Sequence, residues 1–255
     1  MMKRNVGLLL EVAIDRKPLD QLLEDATAAV TRRGGKVVFA CANPHSLVTA
    51  QQDTEFLLAL NRASHVVADG IGVSLMAKMA GINVGPRITG SDFFWGLMKT
   101  LEDRGGGRAF FFGSSRKVLA LISERCARDF PRVTLCGVLS PPYRIWSPEE
   151  NAAMLTQINA ARPDVLWVGL TAPKQEKWVE ANSGKLDVSV IASVGAVFDF
   201  YAGTYPRAPE WICRFGMEWF YRLFKEPQRM WRRNFVSSPL FVLMVLRRHL
   251  LRLPF

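Results

Sequence analysis

The residues able to do chemistry sit in short polar loops that follow apolar runs. Asp69-Gly70-Ile71-Gly72 opens a segment of helical period. Its glycines let backbone N–H groups approach an anion at a helix N-terminus, and Asp69 is either the N-cap of that helix or a carboxylate turned toward a ligand. Cys41-Ala42-Asn43 follows another apolar run, and Phe112-Gly113-Ser114-Ser115 carries a buried strand into a turn that suits a phosphate, a ribose or a capping serine. Pro173-Lys174-Gln175-Glu176 places three polar side chains in the first turn of a helix. Helix-start preference accounts for the proline and the glutamate but not for the Lys-Gln pair. Gly195-Ala196-Val197-Phe198-Asp199 completes the set.

Several chemistries lack their residues. The Asp69 turn has no third glycine of a dinucleotide fingerprint, and no GxxxxGK[ST] phosphate loop occurs. His45, His65 and His249 form no HExxH pair and read as structural or surface histidines. There is no GxSxG elbow, and Cys41 has no recognisably placed His and Asp to activate it. No two aspartates stand two residues apart, so the DxD element that holds a divalent ion in many sugar-nucleotide transferases is missing. No metal or other cofactor is expected, and a bound diphosphate is expected to meet arginines instead.

The elements that must position these loops follow from periodicity. Apolar runs predict strands at Lys36–Cys41, His65–Ala68, Ala109–Phe112, Val133–Val138, Val165–Leu170 and Val188–Ser193, with helical segments between them. Asp53-Thr54, Ser91-Asp92 and Ser147-Pro148 open helices over Glu55–Arg62, Phe93–Leu101 and Glu149–Ala161. Leu19–Arg32 has helical spacing, and Val6–Ile14 reads as a small edge strand or hairpin. The fold class is therefore α/β, a Rossmann-like, mostly parallel sheet with helices on both faces. In such a sheet ligands bind at the carboxyl ends of the strands, where all five loops fall.

The 255 residues suit one α/β domain, residues 1–203, with an appendage over residues 204–255. After Phe200 the alternation gives way to a helical stretch rich in arginines, aromatics and prolines. The formal charge is +10, much of it in that tail, which implies an anionic partner. Four cysteines without CxxC spacing read as reduced thiols, and Glu11 and Asp15 interrupt the first apolar stretch too early for an export signal, so no export is expected.

Taken together, the motifs resemble the WecG/TagA/CpsF family of bacterial inverting glycosyltransferases, from about Val6 to Arg233. The resemblance rests on Val67–Gly72, Arg87–Asp92, Gly169–Glu176, Gly195–Phe200 with Ala202-Gly203 and Arg207-Ala208-Pro209, and Glu218-Trp219 followed by Arg222-Leu223, Glu226-Pro227 and Arg229. It implies a UDP-sugar donor, an undecaprenyl-diphosphate-linked acceptor and inversion to a β-linkage. Asp69 matches the family's proposed catalytic aspartate, with Gly70 and Gly72 beside it. Asn43, Arg87 and Gln175 match pocket residues, and Gly113 and Lys174 fall in substrate-contacting turns. Cys41, expected among the substrate-binding residues, stands where the family usually has Thr, and Thr171 where it usually has Gly; both departures touch the pocket, so the donor sugar is left open among N-acetylmannosamine, its uronic acid, glucose and galactose.

On a helix Arg222, Arg229 and Arg233 return to one face, with Arg232 beside them. The resemblance implies that arginines matching Arg222, Arg229 and Arg232 meet the donor diphosphate once the appendage folds over the sheet. Phe235–Leu246 is too short and too closely flanked by charge to span a bilayer and fits a helix lying in the interface, unless its side chains pack on the core or on a neighbouring subunit. The expected location is the cytoplasmic face of the bacterial inner membrane, held peripherally, with a possible homo-oligomer and no nucleic acid as partner. The competing expectation is a non-catalytic basic module that binds membrane or nucleic acid through the tail.

Overall fold

The computed structural model describes residues 5–32, 35–205 and 231–250. Arg222 and Arg229, with most of the expected appendage, lie outside the described residues, as does the side chain of Arg232. Six parallel strands form the sheet: β3 (Val37–Ala42), β4 (His65–Ala68), β5 (Gly107–Gly113), β6 (Val133–Leu139), β7 (Val165–Gly169) and β8 (Val190–Ser193), in the order β4-β3-β8-β7-β5-β6. All the strand positions read from the sequence hold within two residues.

The side chains of each strand alternate between two buried faces, which is why the runs are continuously apolar. Phe111 and Trp167 point to one face, where α1 (Leu19–Arg32), α5 (Gly90–Asp103), α6 (Arg116–Asp129) and α9 (Val197–Ala202) pack. Phe110, Phe112, Leu166 and Val168 point to the other, toward α7 (Pro148–Ala160) and α8 (Lys174–Asn182). α2 (Pro44–Ala50) and α4 (Ile71–Met79) cover the β3–β4 end of the sheet, and α3 (Thr54–Arg62) packs beside α2 and α8. Phe39 stacks on Phe93 with centroids 3.9 Å apart, and Trp167 meets Phe94 edge-on at 4.9 Å, so aromatic contacts tie α5 to the sheet centre.

Two expectations are corrected. Val6–Ile14 is a hairpin, β1 (Val6–Leu9) with β2 (Val12–Asp15), but it forms its own two-stranded sheet and does not extend the edge of the large one. Its two turn residues, Leu10 and Glu11, both take positive φ, the geometry that matches strand twist in a tight hairpin. Asp15 then reaches His65 on β4, 2.6 Å from Nδ1, while Asp25 lies 3.1 Å from Nε2. The second correction concerns α5, which is capped by Thr89 and not by Ser91-Asp92. Thr89 Oγ1 accepts from the Asp92 amide at 3.1 Å and Asp92 accepts from the Thr89 amide at 2.9 Å, a reciprocal capping box that starts the helix at Gly90.

The C-terminal segment returns to the domain. A π-helical turn, Arg232–Ser237, leads into α10 (Ser238–Val245), whose Phe241, Met244 and Val245 are buried in the same cluster as α2 and α4. Val242 and Leu243 stay exposed, so the apolar stretch packs on the core along one side only.

Gly113 ends β5 at φ +127°, and a Cβ there would lie 2.4 Å from the Gly169 carbonyl oxygen. Gly113→Ala is therefore expected to cost about 2 kcal/mol or more, from left-handed strain and a backbone clash, read as a fall in the denaturant midpoint. An unchanged midpoint would mean that the two strand ends do not approach this closely.

Candidate functional site

Two cavities open at the carboxyl ends of the strands. The smaller, about 400 Å³, is lined by Asn43, Asp69, Gly70, Gly72 and Arg87 from the sequence-derived set, together with His45, Thr89, Ser91, the turn after β8, and Arg233, Asn234 and Phe241 from the C-terminal segment. The larger, about 1790 Å³, is a wide cleft over β5, β6 and β7 lined by Ser114, Ser115, Tyr143, Arg144, Trp146, Lys174 and Asp199. The turn between β8 and α9 is the wall between them. Val194, Ala196 and Val197 face the smaller cavity, whereas Gly195 and Phe198 face the cleft.

Asp69 follows the last residue of β4, and its amide donates to the Ala42 carbonyl at 2.9 Å, which extends the β3–β4 ladder by one bond. The N-cap of α4 is Gly70, at φ +107°, with no side-chain cap. The Asp69 carboxylate is thus half-buried at the cavity edge without being the cap of α4. No side-chain clash forbids a larger residue at position 70, so it is the backbone conformation that calls for glycine there. On the opposite lip the Ile88 amide donates to the Ala68 carbonyl at 3.1 Å, which fixes the loop carrying Arg87 beside the same strand end.

Asn43 does double work. Its Oδ1 accepts from the Ser46 amide at 3.0 Å as the N-cap of α2, with Pro44 at the first helical position, and the residue also lines the Asp69 cavity. His45 Nδ1 lies 2.8 Å from Ser237 Oγ, tying α2 to the C-terminal turn that carries Arg233. Arg233 is the described tail arginine that reaches the cavity; the spacing aligned it with Arg222 and Arg229, but sequence reasoning assigned the role to Arg232.

The remaining residues fall elsewhere. Lys174 lines the cleft, its ammonium 3.9 Å from the centre of the Trp146 ring and donating to the Arg144 carbonyl at 3.2 Å, and burial lowers its pKa. Gly113 lines neither cavity and is a close-packing glycine against Gly169, and it is the next two residues, Ser114 and Ser115, that reach the cleft. Cys41 borders neither cavity. Burial pushes its thiol well above the ordinary range, and the carboxylates of Asp69, Glu176 and Asp92 add to the rise, so it is no ready nucleophile.

Gln175 lies beneath the wall, its amide 3.5 to 3.7 Å from where a side chain on Gly195 would begin. Its Nε2 donates to Glu176 Oε1 at 2.8 Å in a pair that is almost fully buried. Gln175 Oε1 and Glu176 Oε2 have no hydrogen-bond partner among the described residues. Burial raises the Glu176 carboxyl to about 7, against the lowering effects of Gln175 and Arg233. Sequence reasoning treated Glu176 as an ordinary helix-start residue, and its one signal was the polar pair preceding it beside a buried strand end.

Chemically, the small cavity joins a carboxylate able to take a proton with two guanidinium groups able to stabilise an anion. The cleft adds aromatic faces, hydroxyls and a cation.

The chain matches, over residues 8–254, the family described as Glycosyl transferase WecG/TagA/CpsF. It is similar to the N-acetylglucosaminyldiphosphoundecaprenol N-acetyl-beta-D-mannosaminyltransferase of Bacillus spizizenii, 34% identical over 206 residues, which cover 81% of this chain and 77% of the relative. A protein of the same name from Bacillus subtilis is 29% identical over 82% of this chain and 79% of its own length. One from Staphylococcus aureus is 24% identical over 92% of this chain and 89% of its own.

Because the folded state holds Glu176 protonated up to about 7, above the range of an exposed glutamate, its contribution to stability is complete at low pH. That contribution is lost as the pH rises through about 7. Chemical denaturation at pH 5 and pH 8 is expected to show that fall in the wild type and a flatter response in Glu176→Gln. Equal slopes in the two proteins would show that Glu176 ionises freely when folded.

Proposed function

Because this chain belongs to the Glycosyl transferase WecG/TagA/CpsF family, and is thus a glycosyltransferase, we propose that it moves a hexose or N-acetylhexosamine, or its uronic acid, from a UDP-sugar to an undecaprenyl-diphosphate-linked saccharide. The product is a cell-surface polysaccharide precursor, made at the cytoplasmic face of the inner membrane. The observation that carries this reading is the half-buried Asp69 in a cavity shared with Arg87 and Arg233.

In the proposed step Asp69 takes the proton of the acceptor hydroxyl as that oxygen forms its bond to the anomeric carbon. The bond from the anomeric carbon to the diphosphate breaks on the opposite face, its electron pair leaves with UDP, and the configuration inverts. Arg87 and Arg233 stabilise the charge growing on the diphosphate, joined by Arg222, Arg229 and Arg232. The sugar lies in the small cavity within reach of Asp69. The nucleotide takes the cleft, where Trp146 and Tyr143 offer stacking surfaces and Ser114, Ser115 and Asp199 offer partners for ribose and phosphate. Gly70 and Gly72 leave backbone amides open to phosphate oxygens, and Gln175 supports from beneath the β8–α9 turn over which the donor extends from one space to the other. The reaction needs no metal in this reading.

N-acetylmannosamine is the favoured donor sugar, since the curated relatives are named for transferring it and for an undecaprenol-linked N-acetylglucosamine acceptor. The competing expectation of a purely binding basic module is set aside by family membership. Among the described residues no helix is long and apolar enough to cross a membrane, which agrees with a peripheral attachment.

The test is transfer from a panel of radiolabelled UDP-sugars to a polyprenyl-diphosphate N-acetylglucosamine. Turnover is expected with UDP-N-acetylmannosamine and is expected to survive EDTA. Asp69→Asn is expected to lower kcat by about 10²-fold or more while UDP still protects the protein thermally. Arg233→Ala is expected to lose about 10²-fold in kcat/KM. Full activity in Asp69→Asn would remove Asp69 as the base.

A further inference from the structure

α4 is buried on one side only. Val73, Met76 and Ala77 face the core, whereas Ile71, Leu75 and Met79 are 49%, 55% and 53% exposed. Residues four apart fall on one line along a helix, so these three form an apolar stripe, with exposed Lys78 beside its end. The stripe begins inside the functional site, because Ile71 also lines the Asp69 cavity. Across the mouth of that cavity Val242 is likewise both a lining residue and exposed. It continues into exposed Leu243, and earlier in the same segment exposed Phe235 and Trp231 pack with tilted rings, their centroids 4.5 Å apart. Eight of the fourteen large hydrophobic residues exposed among the described residues lie on these two segments, a concentration that marks a contact surface and not scattered surface apolarity.

We propose that the α4 stripe rests on an anionic bilayer, so that the cavity holding Asp69 opens onto the membrane while the wide cleft remains open to water. This rests on the reading of the acceptor as prenyl-linked. A prenyl chain stays in the hydrocarbon, so its sugar hydroxyl reaches Asp69 only if the cavity mouth abuts the leaflet. A second copy of the chain seated on the same stripe would cover that mouth. Exposed Lys78 and Arg247, within a chain of net charge +10, match anionic headgroups, and a helix with apolar side chains on one line and a cation at its border suits the interface. The sugar nucleotide and the lipid-linked sugar then arrive from opposite phases and meet at the β8–α9 wall.

The experiment compares the full chain with Leu75→Ser/Met79→Ser, two exposed positions that line neither cavity. Flotation with phosphatidylglycerol/phosphatidylethanolamine vesicles is expected to show at least tenfold weaker partitioning of the double variant. Transfer to a vesicle-embedded prenyl acceptor is expected to fall in parallel, while transfer to a water-soluble acceptor with a short alkyl chain, and the thermal midpoint, stay unchanged. Equal vesicle binding by the two proteins would overturn the proposal. So would light scattering that finds a wild-type dimer which the substitutions dissociate without any change in vesicle binding. No turnover on either acceptor, with vesicle binding still dependent on Leu75 and Met79, would sink the transferase reading of the acceptor and leave the membrane surface standing.

Discussion

Parallel pairing is the constraint on which everything else here depends. When strands run in one direction, all of their carboxyl ends lie along one edge, and the polar loops that follow them converge whatever their distance in sequence. β8 makes this concrete. It enters between β3 and β7, pairing Val37 with Val190 on one side and Val165 with Val190 on the other, although β3 and β8 are separated by nearly the whole domain. Its own turn then lies at the centre of the edge, where it divides one cavity from the other. Without that insertion the Asp69 end of the sheet and the Lys174 end would belong to separate surfaces.

Much of this was legible in the amino-acid sequence, for a physical reason. Strands buried on both faces must be apolar throughout, so Val165–Gly169 and Ala109–Phe112 stand out as uninterrupted runs, and the loops after them are fixed by default. What was not legible depends on contacts between distant residues. Nothing local marks Leu10 and Glu11 as a left-handed turn, since neither is Gly, Asn or Asp. The α5 start was read three residues late, at Phe93 and not Gly90, because Ser91 and Asp92 are both good caps, and only the reciprocal bond between Thr89 and Asp92 decides the matter.

The site divides the same way. Asp69 and its glycines were visible because a glycine-rich turn after an apolar run is a local signal. Whether the aspartate caps its helix was open until the backbone placed Gly70 at the cap position. Arg233 was seen only as one of several basic residues on a helical face; its place in the cavity depends on α10 returning across 192 residues of chain to meet α2, through the His45–Ser237 contact. Glu176 was passed over because its character comes from burial, and a carboxyl beside a strand end reads the same in sequence whether it is solvated or enclosed.

The docking of α10 against α2 and α4 also carries a consequence for how the enzyme comes into being. The sheet is assembled from residues 37–193, but one side of the Asp69 cavity is furnished by Arg233, Asn234 and Phe241, which no strand carries. Strands that have paired still leave that pocket without one of its walls until α10 docks on α2 and α4. Enclosure of the pocket is thus an event of its own, set by the docking of one terminal helix and separable from the pairing of the scaffold beneath it.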